Sequence, residues 1–218
     1  MHLLEAWTTL TPLELVRLLG LPIAIFLAAI LPGRRTTAAV AVAVAIGVAG
    51  LDELGAPSFV RAGWVTLWLV VAWQSGSRGH DGDRARPTAR GAFEAGAVAL
   101  PLGLGLVLLL LAALSRQGLA NADARRASLG ALILGAGLLH LMLRRHARRA
   151  LVAFAALGLG LELLAASARA ADVLHEGPPS GAALAGALAL VALTSRIVDA
   201  RERFAGSPLV SDAHELHD

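Results

Sequence analysis

The sequence contains no cysteine, no lysine and no tyrosine, and aromatic residues make up only 4% of its 218 positions. Without cysteine this chain can supply no disulfide framework, no thiolate metal site, no covalently held haem and no iron–sulfur cluster. Any redox centre it serves must then sit on a partner, and no cofactor is expected on the chain itself. Enzyme signatures are also missing. There is no H-E-x-x-H or comparable zinc spacing, no G-x-S-x-G nucleophile turn and no glycine-rich phosphate loop. The chain therefore reads as non-catalytic on its own. Charged residues are scarce as well, at 16%, and all 19 basic residues are arginine. A pI near 11.1 would suggest nucleic acid in a soluble protein, but no basic groove interleaved with aromatics supports that partner.

What the sequence does hold is apolar residue after apolar residue: 56% are hydrophobic and the mean hydropathy is +0.67. That balance marks an integral membrane protein. A hydrocarbon core of about 30 Å takes about 20 apolar residues per helix, and the apolar runs between charged breaks number seven. They cover 13–32, 37–51, 61–75, 93–114, 128–143, 150–168 and 181–197. The expected fold class is an all-α, polytopic membrane helix bundle of about seven transmembrane helices, followed by a polar tail at 198–218. Residues 1–12, "MHLLEAWTTLTP", lack the basic start of a cleaved signal peptide, so the first helix is expected to stay in the mature protein.

Orientation follows from the arginines, which crowd on alternate sides of these runs. One side collects Arg34, Arg35, Arg78, Arg84, Arg86, Arg90, Arg144, Arg145, Arg148, Arg149, Arg196, Arg201 and Arg203; the other holds Arg17, Arg61, Arg116, Arg125, Arg126 and Arg169. The richer side is expected to face the cytoplasm, which puts the amino terminus outside and the carboxyl terminus in the cytoplasm of a bacterial-type inner membrane. Trp7, Trp64 and Trp73 are expected as anchors at the headgroup level. Ala43 with Gly47, and Gly181 with Gly186, are small-residue spacings at which helices can approach. Pro101 is placed to break the fourth run. The loop at 75–91 reads as solvated charge, and Asp52 and Glu53 in "GLDELGAP" read as a helix end, with a cation site as the alternative.

Ionisable side chains within membrane spans are costly unless paired or hydrated, so each is a functional candidate. Glu162, in "AALGLGLELLAAS", is preceded by uncharged residues back to Arg149. It is a candidate proton relay, with a hydrogen bond to a neighbouring helix or an excursion toward Arg169 as the structural alternatives. His140, one turn before Arg144, is the second relay candidate, with helix packing as its alternative. Glu14, Glu94 and Asp199 lie at or just past span ends. A basic turn of Arg144, Arg145, His146, Arg148 and Arg149 separates the two spans that carry the relay candidates.

The block "LGALILGAGLLHLMLRRHARRALVAFAALGLGLELLAASARAADV" resembles part of component E of formate-hydrogenlyase-type energy-converting hydrogenases, and more distantly the K subunit of respiratory complex I. In those proteins an apolar span meets a cytoplasmic Arg-Asn turn and the next span carries a buried Glu. The closing stretch "LVALTSRIVDARERFAGSPLVSDAHELHD" is similar to that component's last helix and tail. Two departures stand out. His146 occupies the place of the Asn, and with Arg145 aligned to the family's Arg, Gly158 falls where the buried Glu belongs. Glu162 follows four residues later, about 6 Å along the same helix face. The resemblance implies a membrane-arm subunit packed beside antiporter-like and quinone-reductase-like subunits, helping to couple electron transfer to proton or sodium translocation. It also implies that Arg201, Arg203 and Phe204 in the tail can dock on a neighbour. Two other readings stand beside it: a free-standing small transporter or channel, which would call for repeats and midplane polar groups, and a membrane assembly scaffold.

Overall fold

The structure is a computed structural model that describes residues 7–30, 34–76, 104–105, 107–113, 119–142, 149–171 and 179–205. The expectations for Pro101, Glu94 and the loop at 75–91 (beyond Gly76), and for Arg144, Arg145, His146 and Arg148, lie outside the described residues.

Within them every element of regular structure is a helix. Helix α1 (Pro12–Ile30) opens with a reciprocal cap. Glu14 Oε2 accepts from the backbone N–H and the hydroxyl of Thr11, and Thr11 Oγ1 accepts from Glu14 N–H. Two of the helix's orphan donors are thereby satisfied, with Pro12 set at the first helical position, where a missing N–H does no harm. Helix α2 (Arg34–Ala49) ends at Gly50 and leads into a single 3-10 turn, Asp52–Leu54. Gly55 closes that turn at φ 57°, in the left-handed region glycine enters freely. Helix α3 (Ser58–Gly76) begins after Pro57, whose carbonyl accepts from Val60 and Arg61. Helices α4 (Asn121–Met142), α5 (Arg149–Ala170) and α6 (Ala182–Ala205) complete the named elements. Residues 107–113 are helical too, and Val107 sits over Gly135 of α4.

Among the described residues three helices are long and apolar enough to cross a membrane, at Pro12–Ala29, Arg149–Ala170 and Ala182–Arg201; Arg35–Ala49 is a shorter apolar helix. Helix α4 begins at Asn121, seven residues ahead of the expected start at 128, because its polar first two turns carry the helix past the apolar run. Helix α6 runs to Ala205, so Asp199, Arg201, Arg203 and Phe204 belong to a helix and not to an extended tail. At about 1.5 Å per residue its 24 residues span about 36 Å, longer than a hydrocarbon core.

The pairing of α4 with α5 is the most extensive in the bundle, and glycines make it possible. A Cβ on Gly160 would lie 2.7 Å from Leu134 N and 2.8 Å from Gly130 O. One on Gly137 would lie 3.0 Å from Leu157 N and 3.1 Å from Ala153 O. Residue 130 faces 160 while 137 faces 153–157, so the two helices run antiparallel with their backbones in contact, as small residues permit in membrane bundles. Hairpins α1–α2 and α2–α3 are likewise antiparallel: Gly47 meets Leu21, and Gly76 meets Ala38.

Trp64 departs from its expected place at the headgroups. Both Trp64 and Trp68 are fully buried, and the Trp64 ring lies against Gly158, whose Cβ would stand 2.9 Å from Cη2. Trp73 is exposed. Trp7 donates its indole N–H to Ser128 Oγ at 3.0 Å, tying the start of the chain to α4. The indole is a large apolar plate, and the bare face of Gly158 is where α3 can seat it.

Candidate functional site

Glu162 is the most deeply placed acid among the described residues, 1% exposed on a helix enclosed by α3, α4 and α6. Its carboxyl has two partners. Arg169 Nη2 lies 3.2 Å from Oε1, and the backbone N–H of Gly181 donates to both oxygens, at 3.2 Å to Oε1 and 3.1 Å to Oε2. Gly181 stands immediately before α6, and its own carbonyl accepts from Ala185 N–H, so Glu162 supplies from α5 the capping acceptor at the start of α6. Carboxylates are favoured at helix N-termini by the aligned peptide dipoles. Gly181 meets this geometry at φ 93°, a backbone conformation that side-chain-bearing residues rarely take.

The departure at Gly158 and Glu162 can be judged against this geometry, whereas His146 lies outside the described residues. A Cβ at Gly158 would lie 2.6 Å from the Cβ of Ala187 and 3.3 Å from Ala183 O, besides the Trp64 contact. No glutamate fits there while α3, α5 and α6 stay packed. One turn later the same face of α5 meets the beginning of α6, where a carboxyl finds donors. Glu162 therefore occupies a place where the bundle can hold an acid, and Gly158 one where it cannot.

At the opposite end of α5 the second candidate is a grip on α1. His140 of α4 is 1% exposed, and its Nε2 lies 2.8 Å from the carbonyl oxygen of Ile25. A carbonyl only accepts, so Nε2 carries the hydrogen. Nδ1 has no hydrogen-bond partner among the described residues. Arg149, the described member of the basic turn, donates from Nη1 to Ala29 O at 3.0 Å. Both contacts fall beyond Pro22, which removes one backbone bond from α1. They hold the segment that the proline loosens, and Arg149 also places positive charge at a helix C-terminus. Arg149 is thus more than a topology signal, and the structure brings it together with His140 but not with Glu162.

Sequence reasoning missed the polar network at the other end of the bundle. Ser167 donates to Asp123 O at 3.0 Å, Arg126 pairs with Asp123 at 3.2 Å, and Arg61 lies 3.7 Å from Asp52. Arg17, Arg61, Arg125, Arg126 and Arg169, which sequence analysis gathered on one side, all fall on helix ends at this end of the bundle. Among the described residues no group of three or more His, Asp or Glu side chains is disposed to hold a metal ion. No protein-family model, no curated protein and no solved structure matches this chain.

Proposed function

We propose that this chain is a multi-pass membrane-arm subunit of a multisubunit energy-converting oxidoreductase, of the hydrogenase or complex-I-like kind. It helps couple electron transfer on partner subunits to proton or sodium translocation, with its carboxyl terminus in the cytoplasm. Glu162 is the observation that carries the reading: a buried carboxyl on an apolar helix, in contact with one arginine and with the beginning of a second helix. An ion-translocating carboxyl needs donors it can exchange as its charge changes, and Arg169 and Gly181 N–H are such donors. The apolar outer faces of α1 and α6 suit a subunit surrounded by lipid and neighbouring subunits.

The test has two stages. Gentle extraction of the tagged protein from its native membrane, followed by mass spectrometry, should bring antiporter-like and hydrogenase- or dehydrogenase-like subunits in stoichiometric amount; a clean monomer or homodimer refutes the assembly. In the assembled complex, Glu162→Gln should impair ion translocation while subunit composition is unchanged, because the amide oxygen still accepts from Gly181 N–H.

One observation favours a second reading, the membrane scaffold. Glu162 is fully occupied as the cap of α6, a structural role sufficient by itself to explain a buried acid. Full coupling in an assembled Glu162→Gln variant selects this reading over the first.

A further inference from the structure

A cleft lies at the end of the bundle where α1 begins, α4 begins and the 3-10 turn crosses between them. Leu10, Glu14, Arg17, Leu18, Asp52, Glu53 and Arg125 line it, around a cavity of about 110 Å³. Three carboxylates therefore face two guanidinium groups in a space far below the roughly 300–1,000 Å³ of ordinary small-molecule pockets. The room suits a headgroup fragment and excludes a nucleotide or a sugar chain.

The charges here are only partly consumed by one another, Glu14 lying within the fields of Arg125 and Arg17. Asp52 is 82% exposed at its side chain and only loosely paired with Arg61, at 3.7 Å. Both bonds that Thr11 gives Glu14 fall on Oε2. Arg125 Nε is buried and has no acceptor among the described residues, a donor that calls for a partner. Arg17 is held across the end of α2 because Gly50 has no side chain: a Cβ there would lie 2.7 Å from Arg17 Nη2. A lone metal cation would meet two arginines, and a lone anion would meet three acids. A ligand carrying both signs a few ångströms apart meets neither penalty.

The apolar side of α1 indicates where such a ligand comes from. Leu13, Val16, Gly20, Ile23 and Leu27 are all exposed and recur at i, i+3, i+7, i+10 and i+14, so they form one stripe that starts beside Glu14 and Arg17. Leu13 is 79% and Val16 68% exposed, and a Cβ at Gly20 would meet nothing within 4 Å. The stripe runs about 21 Å at 1.5 Å per residue, enough to follow an acyl chain through one leaflet of about 15 Å.

We propose that this cleft binds the headgroup of a zwitterionic phospholipid bearing a primary ammonium, with its acyl chains along the α1 stripe. Arg17 and Arg125 take the phosphate, and Glu14, Asp52 and Glu53 take the ammonium. A primary ammonium offers three N–H donors to the carboxylates. A quaternary ammonium offers none and is bound instead by aromatic faces, of which the cleft has none among its lining residues. A headgroup of glycerol leaves the carboxylates facing phosphate with no cation between them.

The experiment is native mass spectrometry of the full chain in detergent, titrated with short-chain phosphatidylethanolamine, phosphatidylcholine and phosphatidylglycerol in parallel. The ethanolamine lipid should bind about tenfold more tightly than the other two, the scale of one good charge-assisted contact. The double variant Arg17→Gln/Glu53→Gln, altered at an exposed and a half-buried position outside the apolar core, should lose that preference. Equal binding of the three lipids overturns the proposal, and so does a preference that survives in the double variant. Soluble O-phosphoethanolamine supplies the headgroup without chains. Weak competition, at least tenfold above the lipid's concentration, is expected, and competition at equal concentration overturns the assignment to a lipid.

Discussion

Replacing Gly160 by alanine tests the packing that organises the bundle. The added methyl group would stand 2.7 Å from Leu134 N and 2.8 Å from Gly130 O, both backbone atoms of α4 that no rotamer change can move aside. Ordinary contact begins at 3.4 Å, so the two helices must part locally by roughly 0.7 Å, which loosens the dispersion contacts on either side. Overpacking of this kind costs about 1–3 kcal/mol. Alanine's better helix propensity offsets about 0.5–1 kcal/mol of that, leaving a net loss of up to about 2.5 kcal/mol. Gly186→Ala is the matched control, because a Cβ there meets nothing within 4 Å and only the propensity gain of about 0.5–1 kcal/mol remains. Unfolding of the purified chain in detergent micelles, followed by the fluorescence of the buried Trp64 and Trp68, measures both. If Gly160→Ala is as stable as Gly186→Ala, the backbone contact between α4 and α5 is not as tight as described and the reasoning fails.

Three further outcomes can be measured in the same micelles. Gly181→Ala must hold alanine at φ 93° with Val60 Cγ2 3.2 Å from its Cβ, and should cost about 1–2 kcal/mol; an unchanged unfolding midpoint contradicts the capping geometry. Trp64→Ala should cost about 3–5 kcal/mol by leaving a cavity beside Gly158, whereas Trp73→Ala at an exposed site should change stability by less than about 0.5 kcal/mol; equal effects would place Trp64 at the surface after all. His140→Leu removes the bond to Ile25 O, and should cost about 1–3 kcal/mol and speed hydrogen exchange in α1 beyond Pro22; unaltered exchange there would mean that His140 does not hold this segment.

Much of the helix layout was legible because apolar length and charged breaks are properties of single segments. The run expected at 13–32 overlaps α1 at Pro12–Ile30 to within two residues at either end, and that expected at 150–168 lies within α5 at Arg149–Ala170. Boundaries slipped where polar residues continue a helix beyond its apolar part, as at Asn121 and beyond Ile197, since hydropathy is blind to a helix that leaves the greasy region. The burial of Glu162 was readable from its flanks. Its bond to Gly181 was not, because it depends on how the loop between α5 and α6 turns. Trp64 was misplaced for a related reason: an indole near a span end has the same composition signature whether it faces headgroups or a glycine on another helix. The spacing of Gly130 and Gly137 with Gly158 and Gly160 could have signalled the tight crossings, had it not been diluted among 23 glycines. Gly186, whose spacing from Gly181 suggested a close helix approach, faces open space.

The cap on α6 bears on how the chain enters its membrane. Glu162, Arg169 and Gly181 all belong to one helical hairpin, so the acid, its counter-charge and its backbone donor leave the ribosome within about twenty residues of each other. Released alone into lipid, α5 would carry a carboxyl with no backbone donor from α6, whereas α5 and α6 inserted as a pair carry it already satisfied. The His140 bond to α1 joins residues 115 positions apart and forms only after both helices are in place. The cap is thus a contact that the last hairpin completes by itself, whereas the grip on α1 needs helices far apart in the sequence.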